Sequence, residues 1–303
     1  MKLTLAICTH NHLPALRTTL ASLHDLRLPR APLDILVIDN ASTDGTADWL
    51  VQTQWQRPDI PSHLTREPRL GVANARNRAL IEAEGDYVIF LDDDETPDVD
   101  WLNHLEKVIE DYHPAAIGGR IRALLPGPRP AWLQDELLGF LGELDYGPAG
   151  CPLTETSTPI FTGNAAFHRQ TVLDMGGFDG TLGRRGATQS GGEDTDLYRR
   201  LVGVGKLVRW APDAVIWHRI EHWKLRRWYF LTLHYHQGHM EGSRQRGSAS
   251  PGMPPKYVFA QLLRAYWRAL RLRLAKGAAH SVRQEMNAAY FSGLVAGWRS
   301  RPK

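Results

Sequence analysis

Apolar runs alternate with amphipathic stretches from Leu3 to Ile121. The runs Leu3 to Cys8, Asp34 to Ile38, Ser62 to Arg66, Asp86 to Leu91 and Ala115 to Ile121 predict strands. The spacing of apolar positions in Leu13 to Leu26, Thr46 to Gln54, Val72 to Ala83 and Val99 to Tyr112 predicts helices. Repeated β-α units of this length imply a parallel sheet with helices on both faces, in which ligands collect at the carboxyl ends of the strands. Polar clusters fall at those ends: "CTHNH" after the first strand, "DNASTDGT" after the second and "DDDETPD" after the fourth. Each alone is an ordinary turn or helix cap, and it is their convergence on one sheet edge that suggests a site.

Residues 122–161 are rich in Pro and Gly, which predicts a long mobile insertion with a short helix at Trp132 to Leu141, either a lid or a plain connection. "GGEDTDLYRRLVGVG" follows as a glycine-led acidic helix start, and Lys206 to Trp210 with Ala214 to His218 predict a closing strand pair. The remainder reads as helical, ending in a short helix near Trp298.

At 303 residues and 43% hydrophobic content the chain has material for a substantial core. Two cysteines, Cys8 and Cys151, are too few for a disulfide framework and suit a reducing compartment. The N-terminus reads as a first strand and not as a signal peptide, and no apolar run is long enough to span a bilayer, so a soluble or peripheral protein is expected. The net charge of +3 conceals an asymmetry: from Glu221 to Lys303 there are 15 Lys and Arg against three Glu, a balance of +12 that leaves −9 for the rest. A basic tail on an acidic body points to an anionic surface or ligand.

Three features could carry chemistry. Asp92, Asp93 and Asp94 follow the strand Asp86 to Leu91, where like charges repel unless a cation or a set of donors lies between them. A hard divalent cation with gaps for water and phosphate oxygens is one reading, and a solvated acidic turn is the other. Glu95 and Asp98 are assigned to the start of the following helix. In "GGEDTDL" a carboxylate could act as general base or merely cap the helix. His218 closes "AVIWH" as either a packed histidine or a metal ligand.

Taken in order, "LAICTHN", "ILVIDNASTDGT", "GVANARNRAL", "VIFLDDDETP", "FTGNAAFHRQTVLDMGGFDGTLG", "GGEDTDLYRRL" and "VIWH" resemble the inverting glycosyltransferases of family 2, over roughly residues 3 to 220. The resemblance implies an α/β GT-A fold, a Rossmann-like mixed sheet flanked by helices, with a basic α-helical C-terminal extension. It divides the chain into a catalytic domain, 1–220, and a helical region, 221–303. Within the domain it places a nucleotide-sugar half at about 1–122 and an acceptor half at about 123–220. By the same resemblance Thr9, Asp39, Arg76, Asp92 and Asp93 bind the nucleotide sugar. Asp94 and His218 hold Mn²⁺ or Mg²⁺, and Asp194 is the catalytic base. Gly163, Asn164 and Glu193 fall on the acceptor or donor-sugar side.

The implied reaction is a single displacement from a nucleotide sugar, with UDP expected and dTDP-rhamnose as the alternative, onto a hydroxyl of a glycan or lipid-linked acceptor. "KLRRW", Lys224 to Trp228, lacks the Gln of the processive members' motif, so transfer of one sugar is expected, with no nucleic-acid partner. The helical stretch from Lys256 to Gly277 reads either as a packed bundle helix or as an interfacial helix on an anionic membrane. The setting expected is cytoplasmic, with peripheral contact at the inner face of the plasma membrane under the second reading. A non-catalytic nucleotide-sugar-binding scaffold is the rival, disfavoured by the joint presence of Arg76, Asp94 and Asp194. An Asp-rich prenyl-diphosphate synthase fails because the triplet follows a strand, and a strand-end phosphatase fails because Cys8-Thr9 supplies no nucleophilic Asp.

Overall fold

The first apolar run folds as β1 (Leu3–Thr9), and the pattern continues through α1 (Leu13–Ser22), β2 (Leu33–Asp39), α2 (Thr46–Gln52), β3 (Ser62–Arg66), α3 (Val72–Glu82) and β4 (Tyr87–Asp92). Next come β5 (Glu95–Pro97), α4 (Trp101–Tyr112), β6 (Ala116–Leu124), β7 (Pro152–Leu153), β8 (Asn164–His168), α5 (Arg169–Asp174), α6 (Glu193–Gly203) and β9 (Val208–Arg219). This computed structural model describes residues 1–183, 191–247 and 252–300. The chain divides into two units, Met1–Leu124 with Gly142–Arg219, and Leu125–Leu141 with Ile220–Lys303.

In the first unit the strands form one sheet in the order β3-β2-β1-β4-β8-β6-β9-β5, with β7 paired to β9. β1, β2, β3 and β4 are parallel, whereas β8 runs antiparallel to both β4 and β6, so the sheet is mixed and not parallel throughout. The central strands β1 and β4 are buried almost end to end, as unbroken apolar runs are when helices cover both faces. On the far side of the sheet α4 lies against β9 and β6, where its Trp101, Leu102, Leu105 and Ile109 are each 0% exposed.

Several elements differ from the sequence expectation. The closing strand pair is one strand, β9, which bulges where Gly119 pairs with Ala211 and Arg120 with Val215. Pro212 cannot donate to the ladder, and the bulge passes it without ending the strand. The short strands β5 and β8 were not foreseen; Glu95 lies in β5 opposite His218 and is not part of a helix start. Nor is the Pro/Gly-rich stretch a detached insertion. Ile121 bridges Leu144, the Tyr146 ring packs edge-on 5.0 Å from that of Trp210, and β7 joins the sheet.

The second unit takes residues 125–141 out of the expected acceptor half. The physical reason is aromatic: Trp132 and Phe140 set their rings 5.2 and 6.5 Å from Phe230. This unit contains α7 (Arg227–Arg246), α8 (Lys256–Lys276) and α9 (Ala278–Arg299), and α9 is a full helix and not the short one expected. α7 and α9 meet backbone to backbone on Gly238, Gly242, Gly293 and Gly297. A Cβ at Gly238 would run into the Tyr290 carbonyl, and one at Gly293 into that of Tyr235.

Candidate active site

Strand register gathers the expected residues at one edge of the first unit. Thr9 pairs with Asp39 across β1 and β2, Cys8 pairs with Asp92 across β1 and β4, and Leu91 pairs with Asn164 where β8 enters. The loops beyond β1 and β2 clasp each other: Thr43 N–H donates to Asn11 Oδ1 at 2.6 Å, and Asn11 N–H to Ser42 Oγ at 3.0 Å. Asn11 and Ala41 hold positive φ values of 50° and 55°, conformations that cost a non-glycine residue energy and concentrate at functional sites. Asp39 is 1% exposed and accepts the Ser42 N–H on Oδ1, while its buried Oδ2 has no hydrogen-bond donor and lies 3.8 Å from Arg66 Nε. A buried acceptor in that condition suits a ligand's hydroxyl or N–H.

At the centre stands Arg76 of α3, 4% exposed. One guanidinium nitrogen donates to Glu193 Oε1 at 2.9 Å and to Asp194 Oδ1 at 2.8 Å; the other reaches Asp92 Oδ1 at 3.3 Å. Its face lies over the Phe178 ring. Burial opposes its charge, but Asp194, Asp92 and Glu193 together raise its pKa above the usual guanidinium value. Arg76, expected to contact the nucleotide, is held here by three carboxylates of the protein. It joins the end of β4 to the start of α6.

That helix starts at Glu193 because Gly192, with φ 111°, turns the chain into it at an angle that a side chain would strain. Glu193, expected on the sugar side, is 7% exposed; burial and the charge of Asp194 raise its carboxyl pKa against the pull of Arg76. Asp194 is more open. Its Oδ1 accepts from Arg76 and from the Thr162 hydroxyl, and its Oδ2 accepts the Thr162 N–H at 3.3 Å, which leaves Oδ2 with acceptor capacity.

Within the acidic triplet the three carboxylates separate. Asp93 accepts from the Thr9 hydroxyl at 2.6 Å and lies 2.9 Å from His12 Nδ1, so Thr9 and Asp93 bind each other. Asp92 points toward Arg76, and its N–H donates to Glu95 Oε2 at 2.9 Å. Asp94 Oδ2 lies 3.2 Å from His218 Nε2. A carboxylate oxygen and an imidazole nitrogen this close are a fitting pair of ligands for Mn²⁺ or Mg²⁺. Gly142 (φ 87°) keeps the space beside His218 open, since a Cβ there would come 2.9 Å from Nδ1. Among the described residues no three His, Cys, Asp or Glu side chains form a metal site by themselves. A cation here would draw its remaining ligands from water or from a bound ligand.

Gly163 borders the site because its missing side chain makes room: a Cβ would meet Glu95 Oε1 at 2.6 Å and Asp92 Oδ2 at 2.8 Å. Asn164, expected on the same side, is buried next to it. It is 0% exposed, donates to the Arg120 and Ala214 carbonyls at 2.8 and 2.9 Å, and accepts Trp101 Nε1–H at 2.8 Å, so it closes the β9 bulge.

Four supporting residues escaped the sequence reading: Thr162, His12, Thr19 and Arg219. Thr19 donates to the carbonyls of Asp93 and Glu95, and Arg219 bonds Thr19, Ala15 and Glu95, so the pair braces the acidic turn from below. Thr162 had a local signal in "FTGN" and His12 in "CTHNH", whereas Thr19 and Arg219 had none.

The model of the family described as Glycosyl transferase family 2 matches residues 4–190. The succinoglycan biosynthesis protein ExoM of Rhizobium meliloti (strain 1021) is 32% identical over 218 residues, 71% of this chain and 65% of that protein. The pre-mycofactocin glycosyltransferase of Mycobacterium tuberculosis (strain ATCC 25618 / H37Rv) is 30% identical over 218 residues, 71% of this chain and 42% of that protein. The match thus spans less than two thirds of either relative's length. Among solved structures, the mannosyltransferase PcManGT from Pyrobaculum calidifontis, in complex with GDP-Man and Mn²⁺, superimposes with a TM-score of 0.63 at 20% identity, covering 98% of this chain and 86% of that one. S. aureus TarS 1-349, in complex with UDP-GlcNAc, gives a TM-score of 0.57 at 15% identity over 94% of this chain and 70% of that one. At such identities the likeness shows the fold, which is GT-A.

Proposed function

The chain belongs to glycosyl transferase family 2, and from that premise we propose that it moves one sugar from a nucleotide sugar to an acceptor hydroxyl with inversion at the anomeric carbon. A UDP-sugar is the donor we favour, with dTDP-rhamnose the alternative, and a glycan or lipid-linked glycan of a cell-surface polysaccharide is the acceptor. The unpaired Cys8 and Cys151 support a reducing, cytoplasmic setting. The observation that carries the reading is the Arg76 bridge, which ties the proposed base Asp194 to the acidic strand end through one buried cation.

In the proposed mechanism Asp194 accepts the acceptor's proton on Oδ2 as the hydroxyl oxygen attacks, while Arg76 and Thr162 fix the carboxylate's orientation. The attack breaks the bond between the anomeric carbon and the diphosphate oxygen, and the nucleoside diphosphate leaves on the opposite face. One base suffices for a single displacement, and no carboxylate nucleophile is needed. Asp39 holds the nucleoside, and Asp92 faces the ribose and phosphates. A Mn²⁺ or Mg²⁺ ion on Asp94 and His218 would, when bound, neutralise charge on the departing diphosphate.

The test is a donor screen with Mn²⁺ or Mg²⁺ that follows nucleoside diphosphate release and thermal stabilisation in wild type, Asp194→Asn and Asp94→Ala. Asp194→Asn is expected to bind donor and lose turnover, whereas Asp94→Ala is expected to lose metal-dependent binding. Transfer that survives both changes overturns the mechanism. Donor binding with no turnover in wild type, across an acceptor panel, favours a binding scaffold instead.

A further inference from the structure

Helix α8 leaves much of its large apolar surface outside its own packing. Val258, Ala265 and Ala269 are buried with Phe259 and Leu262 half-buried beside Val258, while Leu263, Trp267, Leu270 and Leu274 are 70%, 59%, 56% and 79% exposed. Their spacing of 4, 3 and 4 residues makes a continuous stripe along one side of the helix, widened by Tyr266 at 55% exposure. Burial of large apolar groups is the chief gain of folding, so a helix that turns Ala inward and Leu and Trp outward has its apolar face arranged for something else.

The charge pattern says what. Arg264, Arg268 and Arg271 follow the apolar stripe one residue behind it, about 100° round the helix, and all three are exposed. α8 contains no Asp or Glu. Of the acidic residues on its neighbouring helices, Glu241 pairs with Arg244, and Glu285 pairs with Arg227 and with Arg273 on another side of α8, which leaves both away from Arg264, Arg268 and Arg271. The Arg271 guanidinium lies over the Trp267 ring, which places a cation at the border of the apolar stripe. No helix among the described residues is long and apolar enough to cross a membrane. A Leu/Trp stripe edged with uncompensated arginines fits a helix lying in the plane of anionic headgroups, its apolar side among the upper acyl chains.

We propose that the outer face of α8 docks this chain on the surface of an anionic lipid bilayer. The surface is separate from the transfer chemistry and does not depend on the identity of the donor or acceptor.

The experiment is flotation of the full chain with phosphatidylcholine vesicles, with and without phosphatidylglycerol. Wild type is expected to float only with the anionic vesicles and to be released by salt. Arg264→Gln/Arg268→Gln/Arg271→Gln should weaken partitioning about a hundredfold, and Leu270→Ser/Leu274→Ser about tenfold or more. These side chains are exposed, so melting temperatures should stay at the wild-type value, and the arginine variant changes no buried group. Absence of flotation overturns the proposal, as does flotation indifferent to both variants. Binding lost with the arginines but kept without Leu270 and Leu274 identifies a polyanion site and also overturns it. So does a wild-type dimer, seen by ultracentrifugation without lipid, that Leu270→Ser/Leu274→Ser dissociates: the face is then covered by a second copy.

Discussion

Replacing Arg76 by Met keeps most of the side chain's volume and removes its charge, which isolates what the guanidinium does. In the native site it answers three carboxylates at 2.8 to 3.3 Å while only 4% exposed. Taking one partner out of a buried ionic cluster costs about 3–5 kcal/mol, because the remaining charges keep their desolvation cost without compensation. In a unit of this size that lowers the melting temperature by roughly 10 °C. The loss should depend on pH in a definite direction. Burial and Asp194 already raise the Glu193 carboxyl, and Arg76 is what pulls it back down. Without Arg76 its folded pKa stands further above its unfolded one. A carboxyl so placed destabilises the fold at high pH and does so less as pH falls and it takes up a proton.

The assay is chemical denaturation of wild type, Arg76→Met, Glu193→Gln and the double variant at pH 8 and pH 5.5. The expected result is a penalty for Arg76→Met that is larger at pH 8, and a double variant more stable than Arg76→Met alone. A penalty below about 1 kcal/mol, comparable to an exposed pair, would refute the reasoning. So would a penalty equal at both pH values with no rescue by Glu193→Gln.

Other expectations follow from the packing. Asn164→Leu strands the Trp101 indole N–H and the Arg120 and Ala214 carbonyls and should cost about 3 kcal/mol in denaturant titrations, with donor affinity changed only as far as the fold is. Gly238→Ala gains about 1 kcal/mol of helix propensity but drives a methyl into the Tyr290 carbonyl. The clash should win by about 2 kcal/mol, whereas Gly203→Ala, with open space around it, should be neutral or stabilising. Burial lowers the His234 pKa, aided by Arg283 and opposed by the hydrogen bond to the Phe230 carbonyl, so the imidazole is buried neutral. Its contribution is complete above its unfolded pKa of about 6.5 and fades as pH falls toward the lower folded value. Melting curves from pH 8 to 5 should therefore drop more steeply in wild type than in His234→Gln.

Much of the fold could be read locally. The strands β1, β2, β4 and β6 announced themselves as apolar runs, because a strand covered on both faces carries its burial in its own residues. The short β5 and β8 did not. β5 holds three residues, one of them a Glu whose burial depends on the Asp92 N–H and on the strand carrying His218. Nothing local to Asn164 announces that its side-chain bonds end on Trp101, Arg120 and Ala214. The division of residues 122–161 between two units was also hidden, since it rests on Trp132 and Phe140 finding Phe230 far along the chain.

The same distinction separates the groups proposed to meet the ligand from the groups that hold them. Asp39, Asp92, Asp94 and Asp194 stand in polar clusters after apolar runs or glycines, where sequence alone marks them. Arg219 lies at the end of β9 and reaches the Ala15 carbonyl across a separation of 204 residues, so its role exists only once β9 lies beside β5. Arg76 falls between the two classes. The "ARN" motif marks it as part of the site, and its burial and three carboxylate partners make it the joint between α3, β4 and α6, which no motif announces. One cation therefore orients the proposed base and one wall of the proposed donor pocket together. A change to either carboxylate at that joint alters the electrostatics of the other, and the effects of Asp92 and Asp194 substitutions should not be additive.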